Sequence, residues 1–127
     1  HLEAFYCACN RPVNTFEYGY DCTNRLLDDH PDLDAILAAV DVQGLGAIRA
    51  VTERGLKIPD QIKVISLTGH EVGAMLQTAM TSMEMPARLM GQKAARMVVE
   101  EIEAPDTGKQ APQHLCFTMQ LEEREST

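Results

Sequence analysis

The chain has 127 residues, of which 45% are hydrophobic, and its 19 acidic residues outnumber its 11 basic ones to give a net charge of −8. This length suits one domain or a piece of a larger one, and the composition is too apolar for a disordered segment. An excess of carboxylates repels phosphate, which disfavours direct contact with nucleic acid, and no apolar run approaches the ~20 residues of a membrane span.

The start of the chain and its cysteines indicate the cellular compartment of the protein and the state of its thiols. The chain begins at His1 with neither a charged segment nor the apolar core of a signal peptide, so we expect a processed or truncated cytoplasmic protein. Its cysteines form one C-x-C pair and two isolated residues, at positions 7, 9, 22 and 116. Zinc sites need closely spaced Cys or His pairs, and the histidines are scattered. We therefore expect reduced thiols and no metal ion.

The first thirty residues predict a strand followed by a helix. Ala4–Cys9 is short, apolar and aromatic, which is typical of a buried strand. Thr15–Asp29 has apolar residues at helical spacing, and His30 ends this helix because Pro31 follows it. Gly19 inside the helix requires a packing reason, since glycine costs about 1 kcal/mol relative to alanine there.

The middle of the chain predicts a strand–helix–strand unit. Ala35–Val40 is a continuous apolar run, typical of a strand that is covered on both faces and hence of a parallel sheet. Asp41 is expected to cap the next helix, which ends before Gly55. Lys63–Leu67 is a second β-branched strand. The short connections predict a right-handed crossover and an open α/β sheet.

The second half predicts one long helix and a final strand. Pro86 suits the first helical position, and the helix runs to about Glu103. The apolar stripe of this helix consists of Met90, Ala94, Met97 and Ile102. A loop rich in Pro, Gly, Lys and Gln covers residues 104–112, and the alternation over Leu115–Leu121 indicates an edge strand.

Four loops are candidates for a ligand site, because ligands of open α/β sheets bind beyond the carboxyl ends of the strands. They are residues 10–16, 40–43, 68–70 and 83–87. Their polar groups suit a neutral, hydroxyl-rich ligand. Other interpretations stay open: Asp41 as a helix cap, Phe16 and Tyr18 as packing residues, and His70 as a capping or merely exposed residue.

Sequence motifs of catalysis are missing. The chain has no G-x-S-x-G, no G-x-G-x-x-G after a strand and no phosphate loop. Its carboxylate pairs, such as Asp28 and Asp29, lie on polar helix ends. The methionines between Met75 and Met85 more often fill a core or an interface than a cofactor site. We therefore expect neither an enzyme nor a cofactor.

Several segments resemble the lactose-repressor (LacI/GalR) family of transcriptional regulators. Residues 32–67, DLDAILAAVDVQGLGAIRAVTERGLKIPDQIKVISL, resemble its pattern "pD-AI-a-ND-xA-lGa-ra-l-e-Gl-vP-disvigfD". Residues 14–20 resemble its "fs-esGy" segment, residues 79–83 its "pLTTv" strand, and residues 121–127 its closing "LveReST". The resemblance covers nearly the whole chain in order.

The resemblance implies an open, mainly parallel, three-layer α/β/α lobe of a periplasmic-binding-protein-like fold. Residues 1–77 would form the C-terminal lobe of an effector-binding domain. Residues 78–113 would supply a crossover and a helix of the second, N-terminal lobe, and residues 114–127 a return strand and tail of the C-terminal lobe. The DNA-binding headpiece of the family is absent from the chain. The long helix would lack its sheet partner, so we expect its apolar stripe to dock elsewhere or to drive association.

The resemblance also assigns site residues. The effector contacts fall on Asn14, Phe16, Val40, Asp41, Thr68, Gly69 and His70. Thr68 stands where sugar binders of the family have an aspartate, and Val40 where they often have an asparagine. The pocket is thus placed as in the family, while its chemistry differs. A homodimer interface falls on Leu45, Met75 and Leu76, with core packing as an even alternative for Leu45.

The function implied by the resemblance is allosteric. A small-molecule effector, a sugar, would bind between the lobes of a homodimeric repressor and change how the headpieces bind operator DNA. The alternative is a fragment of a periplasmic-type sugar-binding protein that serves a transporter. The closing Arg124–Thr127 signature and the lack of an export signal favour the regulator.

Overall fold

The computed structural model describes residues 3–69, 71–103 and 112–127. Its helices are α1 (Phe16–Asp29), α2 (Asp41–Glu53), α3 (Glu71–Ala74) and α4 (Ala87–Glu103), and its strands are β1 (Ala35–Ala38), β2 (Lys63–Gly69), β3 (Thr81–Glu84) and β4 (Gln120–Glu122). Two compact units form: His1–Glu84 with Leu121–Thr127, and Met85–Gln120. Most of the predicted loop at 104–112 lies outside the described residues. No described helix is long and apolar enough to cross a membrane.

The strands form one open sheet in the order β1-β2-β3-β4. β1 and β2 are parallel, with Ala35 opposite Lys63 and Ala38 opposite Ser66. β2 and β3 are also parallel, and their register shifts between Ser66 and Gly69. The predicted strand–helix–strand unit and the open, mainly parallel α/β sheet are therefore confirmed.

The hydrophobic core lies where α2 packs against β1 and β2. Val51 and Val64 are fully buried, and burying a side chain of this size stabilises the fold by about 1.5–3 kcal/mol. The other buried members are Leu27, Ile36, Ala47, Ile62 and Met80. Burial alternates along both strands, and on the other face of the sheet Leu37 of β1 is 61% exposed and Leu67 of β2 is 44% exposed. The prediction that β1 is covered on both faces is therefore wrong for the described part of the chain.

α1 packs against α2 at two glycines. A Cβ at Gly19 would lie 2.5 Å from the Cα of Gln43, and a Cβ at Gly46 would lie 2.6 Å from the backbone nitrogen of Tyr20. Any side chain at either position would overlap the facing backbone. This contact is the packing reason that Gly19 requires inside a helix.

The helix ends follow most of their sequence signals. The hydroxyl of Thr15 caps α1 by accepting a hydrogen bond from the backbone nitrogen of Tyr18 at 3.1 Å. Gly55 follows the end of α2 with φ of +73°, a conformation that favours glycine. The cap position at the start of α2 is taken by Val40. The prediction that Asp41 caps α2 is wrong, because Asp41 is already its first helical residue.

Two strand predictions differ from the structure. Residues 4–9 are not a strand, and the ring of Phe5 stacks on that of His30 at the end of α1, with 3.6 Å between centroids. The apolar composition of residues 4–9 correctly indicates that they pack against the rest of the protein. A strand also needs a neighbouring strand with which its backbone groups form hydrogen bonds. Of the predicted strand at 115–121, the structure keeps only the end, within Gln120–Glu122.

The charged tail of the chain binds to β2 and β3. Ser126 is fully buried, and its hydroxyl donates to the Val64 carbonyl oxygen and accepts from the Thr81 backbone nitrogen. The Ser126 backbone also accepts from the Val64 nitrogen at 2.9 Å and donates to the Ala79 oxygen at 3.1 Å. The closing residues are therefore part of the sheet unit.

α4 has no buried residue over its 17 positions, all of which are described. Ile102 is exposed, and Met90 and Met97 face a shallow apolar cavity that Leu115 and Phe117 complete. Among the described residues, the apolar stripe of α4 is therefore only partly covered. Association through this stripe stays a prediction.

Replacing Gly19 by alanine tests the close packing of α1 on α2. We expect Gly19→Ala to lower the free energy of unfolding in urea by about 1–3 kcal/mol, because the new Cβ overlaps the Gln43 backbone. Gly91→Ala in α4 is the matched control, since nothing lies within 4 Å of a Cβ there. It should have no effect or add up to about 1 kcal/mol. Equal stabilisation by both substitutions would contradict the packing described.

Replacing Ser126 by alanine tests the binding of the tail. We expect Ser126→Ala to lower the free energy of unfolding by about 2 kcal/mol, because the buried Thr81 nitrogen loses its acceptor. Thr118→Ala, which truncates an exposed hydroxyl residue, should change it by less than about 0.5 kcal/mol. A similar small change in both variants would show that the tail does not stabilise the sheet.

Candidate functional site

The carboxyl ends of β1, β2 and β3 lie along one edge of the sheet, because these strands are parallel. Residues 39–43 follow β1, Gly69 ends β2 and Glu84 ends β3, with Gly69 and Glu84 opposite each other in the register. This is the edge beyond which ligands of open α/β sheets bind. We call it the carboxyl edge.

Gln43 joins the loops of the carboxyl edge. Its buried side-chain amide donates from Nε2 to the Val13 carbonyl oxygen at 2.8 Å, and its Oε1 accepts from the Ala39 backbone nitrogen at 3.1 Å. The hydroxyl of Thr68 in turn donates to the Ala39 carbonyl oxygen at 3.4 Å. Hydrogen bonds thus connect the loop before α1, the end of β1 and the end of β2. The sequence indicated Gln43 only as one of several polar groups.

Asp41 has a buried carboxylate that no described residue binds. Its side chain is 7% exposed, and neither carboxylate oxygen has a hydrogen-bond donor among the described residues. A carboxylate removed from water without a partner costs several kcal/mol. The dipole of α2 favours a negative charge in this first turn. Both oxygens are enclosed by protein, and their capacity to accept hydrogen bonds is unused among the described residues.

Phe16 and Tyr18 play different parts at the start of α1. Phe16 is 40% exposed and stacks nearly parallel on Tyr20, with 6.3 Å between ring centroids. The hydroxyl of Tyr20 donates to Glu53 at 2.6 Å, and this hydrogen bond raises the pKa of Tyr20 and lowers the pKa of Glu53. Phe16 is thus supported from one side and open on the other. Tyr18 instead lines a cavity between α1 and the N-terminal segment.

The other predicted contact residues differ in exposure. Asn14 is exposed, and Val40 is half-buried before α2. Gly69 is buried, and a Cβ there would lie 2.6 Å from Oε1 of Glu84. His70 lies outside the described residues, and its role stays a prediction.

An ion pair at the end of β3 has no counterpart among the sequence predictions. The guanidinium of Arg124 donates to Glu84 Oε1 at 3.0 Å, to Ser82 Oγ at 2.7 Å and to the Met80 carbonyl oxygen at 2.8 Å. Both members of the pair are half-buried. The sequence predicted only a charged tail, and no spacing in it indicates that Arg124 points towards β3.

The three residues assigned to a dimer interface differ in their exposure to solvent. Met75 is 77% exposed, whereas Leu45 and Leu76 are half-buried, and Leu76 packs against the core. Their role in a dimer stays a prediction. Within the described ranges, no group of three or more His, Cys, Asp or Glu side chains is arranged to hold a metal ion.

Known proteins share both the sequence pattern and the fold. Residues 3–127 match the family described as periplasmic binding protein-like domain. The HTH-type transcriptional regulator CelR of Thermobifida fusca is 34% identical over 112 residues, which are 88% of this chain and 32% of CelR. The chain therefore spans about a third of the length of this relative.

Two solved structures extend the comparison. The complex of transcriptional regulator CelR with cellobiose has a TM-score of 0.82 at 32% identity, over 90% of this chain and 34% of CelR. A LacI family transcriptional regulator from Arthrobacter sp. FB24 in complex with lactose has a TM-score of 0.79 at 25% identity, over 89% of this chain and 41% of that protein.

Replacing Gln43 by leucine tests its part in building the carboxyl edge. We expect Gln43→Leu to speed amide exchange at Ala39, as detected by NMR, by at least about tenfold, because this amide loses its acceptor. The free energy of unfolding should fall by about 1–3 kcal/mol. Gln92→Leu on exposed α4 is the control and should leave exchange at Ala39 unchanged. Unchanged exchange at Ala39 in Gln43→Leu would show that another group holds the edge.

Proposed function

This chain belongs to the periplasmic binding protein-like domain family, and we propose that it is the effector-sensing portion of a LacI/GalR-type DNA-binding transcriptional repressor. A small molecule binds at the carboxyl edge and controls operator binding by favouring one arrangement of two lobes over another. The observation that carries the proposal is the buried carboxylate of Asp41 at that edge, which no described residue binds.

The polar groups of the carboxyl edge suit a sugar. Asp41 has two oxygens that accept no hydrogen bond from the described residues, Thr68 has a hydroxyl, and the open face of Phe16 suits the apolar side of a sugar ring. In this proposal the effector contacts are Asn14, Phe16, Val40, Asp41, Thr68, Gly69 and His70. The complexes of related regulators with cellobiose and with lactose support a sugar as the class of effector.

The recognition of the effector differs from that implied by the family pattern. Thr68, near the end of β2, stands at the position that the pattern assigns to an aspartate, and a hydroxyl cannot accept hydrogen bonds as strongly as a carboxylate does. Glu84 at the same edge is already paired with Arg124. The proposal therefore gives the role of the charged acceptor to Asp41.

The same proposal assigns the residues of this chain to the two lobes and to the dimer interface of the regulator. Residues 1–77 and 114–127 belong to one lobe, and residues 78–113 cross to the other. The regulator is a cytoplasmic homodimer whose contacts include Leu45, Met75 and Leu76, and it binds operator DNA through a headpiece that this chain does not contain. The net charge of −8 supports a sensing part that does not itself touch DNA.

A transporter-associated binding protein is the other candidate, since it would share the fold. The names of the relatives, which are transcriptional regulators, favour the repressor. The same names give no support to an enzyme.

A sugar panel on the full-length protein tests the proposal. We expect at least one mono- or disaccharide to raise the melting temperature, since a ligand at 100 times its Kd adds about 2.7 kcal/mol of stability. Asp41→Asn should weaken binding of that sugar at least about tenfold in calorimetry, because a charged acceptor is lost.

The controls separate binding from folding. Asp41→Asn removes a buried charge that no described residue binds, so the variant should fold at least as well as the wild type. Asp60→Asn, at an exposed carboxylate, should bind the sugar as the wild type does. A panel without any sugar that stabilises the protein would contradict the sugar-sensing proposal, and unchanged binding by Asp41→Asn would contradict the assigned acceptor.

A further inference from the structure

Three cysteines lie on α1 and on the N-terminal segment beside it. Cys22 lies on the buried side of α1, whereas Cys7 and Cys9 lie half-buried on the N-terminal segment. The Cys9 thiol donates to the carbonyl oxygen of Tyr18 at 3.9 Å, and Tyr18 lies one helical turn before Cys22. We call these three residues the thiol cluster.

A cavity and hydrogen bonds connect the members of the thiol cluster. Cys7 and Cys22 line the same cavity of about 290 Å³. Burial raises the pKa of Cys22 to about 12, and hydrogen bonds to the thiols of Cys9 and Cys7 contribute to this shift. Cys22 is therefore a neutral thiol at physiological pH. The Cys9 sulfur contacts the carbonyl oxygen of Tyr18, at the start of the helical turn that leads to Cys22.

Neither core packing nor metal binding accounts for the thiol cluster. Core packing explains a single buried thiol such as Cys22, but it does not explain two half-buried thiols placed against it. A metal site is not supported, because no three His, Cys, Asp or Glu side chains of the described residues, these thiols included, are arranged to hold a metal ion. All three cysteines are free, so the sulfurs are available for oxidation.

We propose that the thiol cluster is a redox-modification site at which hydrogen peroxide converts Cys9 and Cys22 into a disulfide. The sulfur of Cys9, on the accessible segment, attacks one peroxide oxygen, the O–O bond breaks, and a sulfenic acid and one water form. The sulfur of Cys22 then attacks the sulfenic sulfur. The S–O bond breaks, the Cys22 proton leaves with the hydroxyl as a second water, and the S–S bond forms. Two thiols lose two electrons and two protons to one peroxide.

The order in which the two thiols react follows from their exposure and their protonation. Peroxide reacts with a thiolate that it can reach, and Cys22 is buried and protonated. Cys9 is half-buried on a segment without regular structure. Cys22 therefore acts as the resolving thiol. In a reducing cytoplasm, thiol–disulfide exchange would return the pair to the reduced form.

The disulfide would enclose the loop that carries part of the candidate site. Residues 10–16 lie between Cys9 and Cys22, and they include Phe16 and the carbonyl of Val13 that Gln43 binds. A crosslink across this segment restricts its conformations. Oxidation is therefore expected to change effector affinity. This consequence rests on the proposed function, whereas the disulfide itself does not.

Peptide mapping of the peroxide-treated chain tests the disulfide. The reduced chain is treated with hydrogen peroxide, its remaining thiols are blocked with N-ethylmaleimide, and the product is analysed by mass spectrometry before and after dithiothreitol. We expect an intramolecular Cys9–Cys22 link that dithiothreitol reverses, in the wild type and in Cys7→Ser and Cys116→Ser. Cys9→Ser, on the half-buried segment, should lose the link and retain the far-ultraviolet circular dichroism spectrum of the wild type. A Cys7–Cys22 link, a link between molecules, or overoxidation without any link would overturn the proposal.

A binding measurement on the full-length protein tests the regulatory consequence. We expect the Kd for the effector to differ at least about threefold between the reduced and the oxidised forms, and to be insensitive to peroxide in Cys9→Ser. Equal Kd values in both forms would overturn the regulatory part. Loss of all sugar binding in both forms, with the Cys9–Cys22 link intact, would instead contradict the proposed function and leave the modification site established.

Discussion

α1 and α2 meet backbone to backbone at Gly19 and Gly46, and the candidate site depends on this contact. The close approach places the start of α1, with Phe16, beside the first turns of α2. It also brings Val13 within 2.8 Å of the Gln43 side chain, which reaches on to Ala39 at the end of β1. A side chain at either glycine would separate the helices and break this bridge. The carboxyl edge is therefore a product of helix packing as much as of strand order.

Local signals in the sequence were sufficient for most elements of the fold. Apolar residues at helical spacing indicated α1, the proline after His30 indicated its end, and Gly55 indicated the end of α2. The continuous apolar run at 35–40 correctly predicted parallel pairing. The predicted strand at 4–9 was wrong. The apolar composition of a segment indicates that it packs against the rest of the protein, but it does not indicate whether another strand lies beside it.

The candidate site was only partly predictable. The rule for open α/β sheets correctly indicated the ends of the strands, since it follows from strand order alone. Contacts between distant parts of the chain carried no local signal. Arg124 reaches Glu84 across 40 residues of sequence, and Gln43 reaches Val13 across 30. That no described residue binds the Asp41 carboxylate could be learned only from the structure, because the burial and the hydrogen bonds of a side chain are properties of the folded chain.

Hydrogen exchange on the full-length protein, with and without a bound sugar, tests whether the effector binds at the carboxyl edge. We expect slower exchange of the amides at residues 13–16, 39–43 and 66–69 in the bound form. Exchange over residues 124–126, where the tail binds β2 and β3, should stay unchanged. Protection confined to other segments, with these three segments unaffected, would show that the effector binds elsewhere.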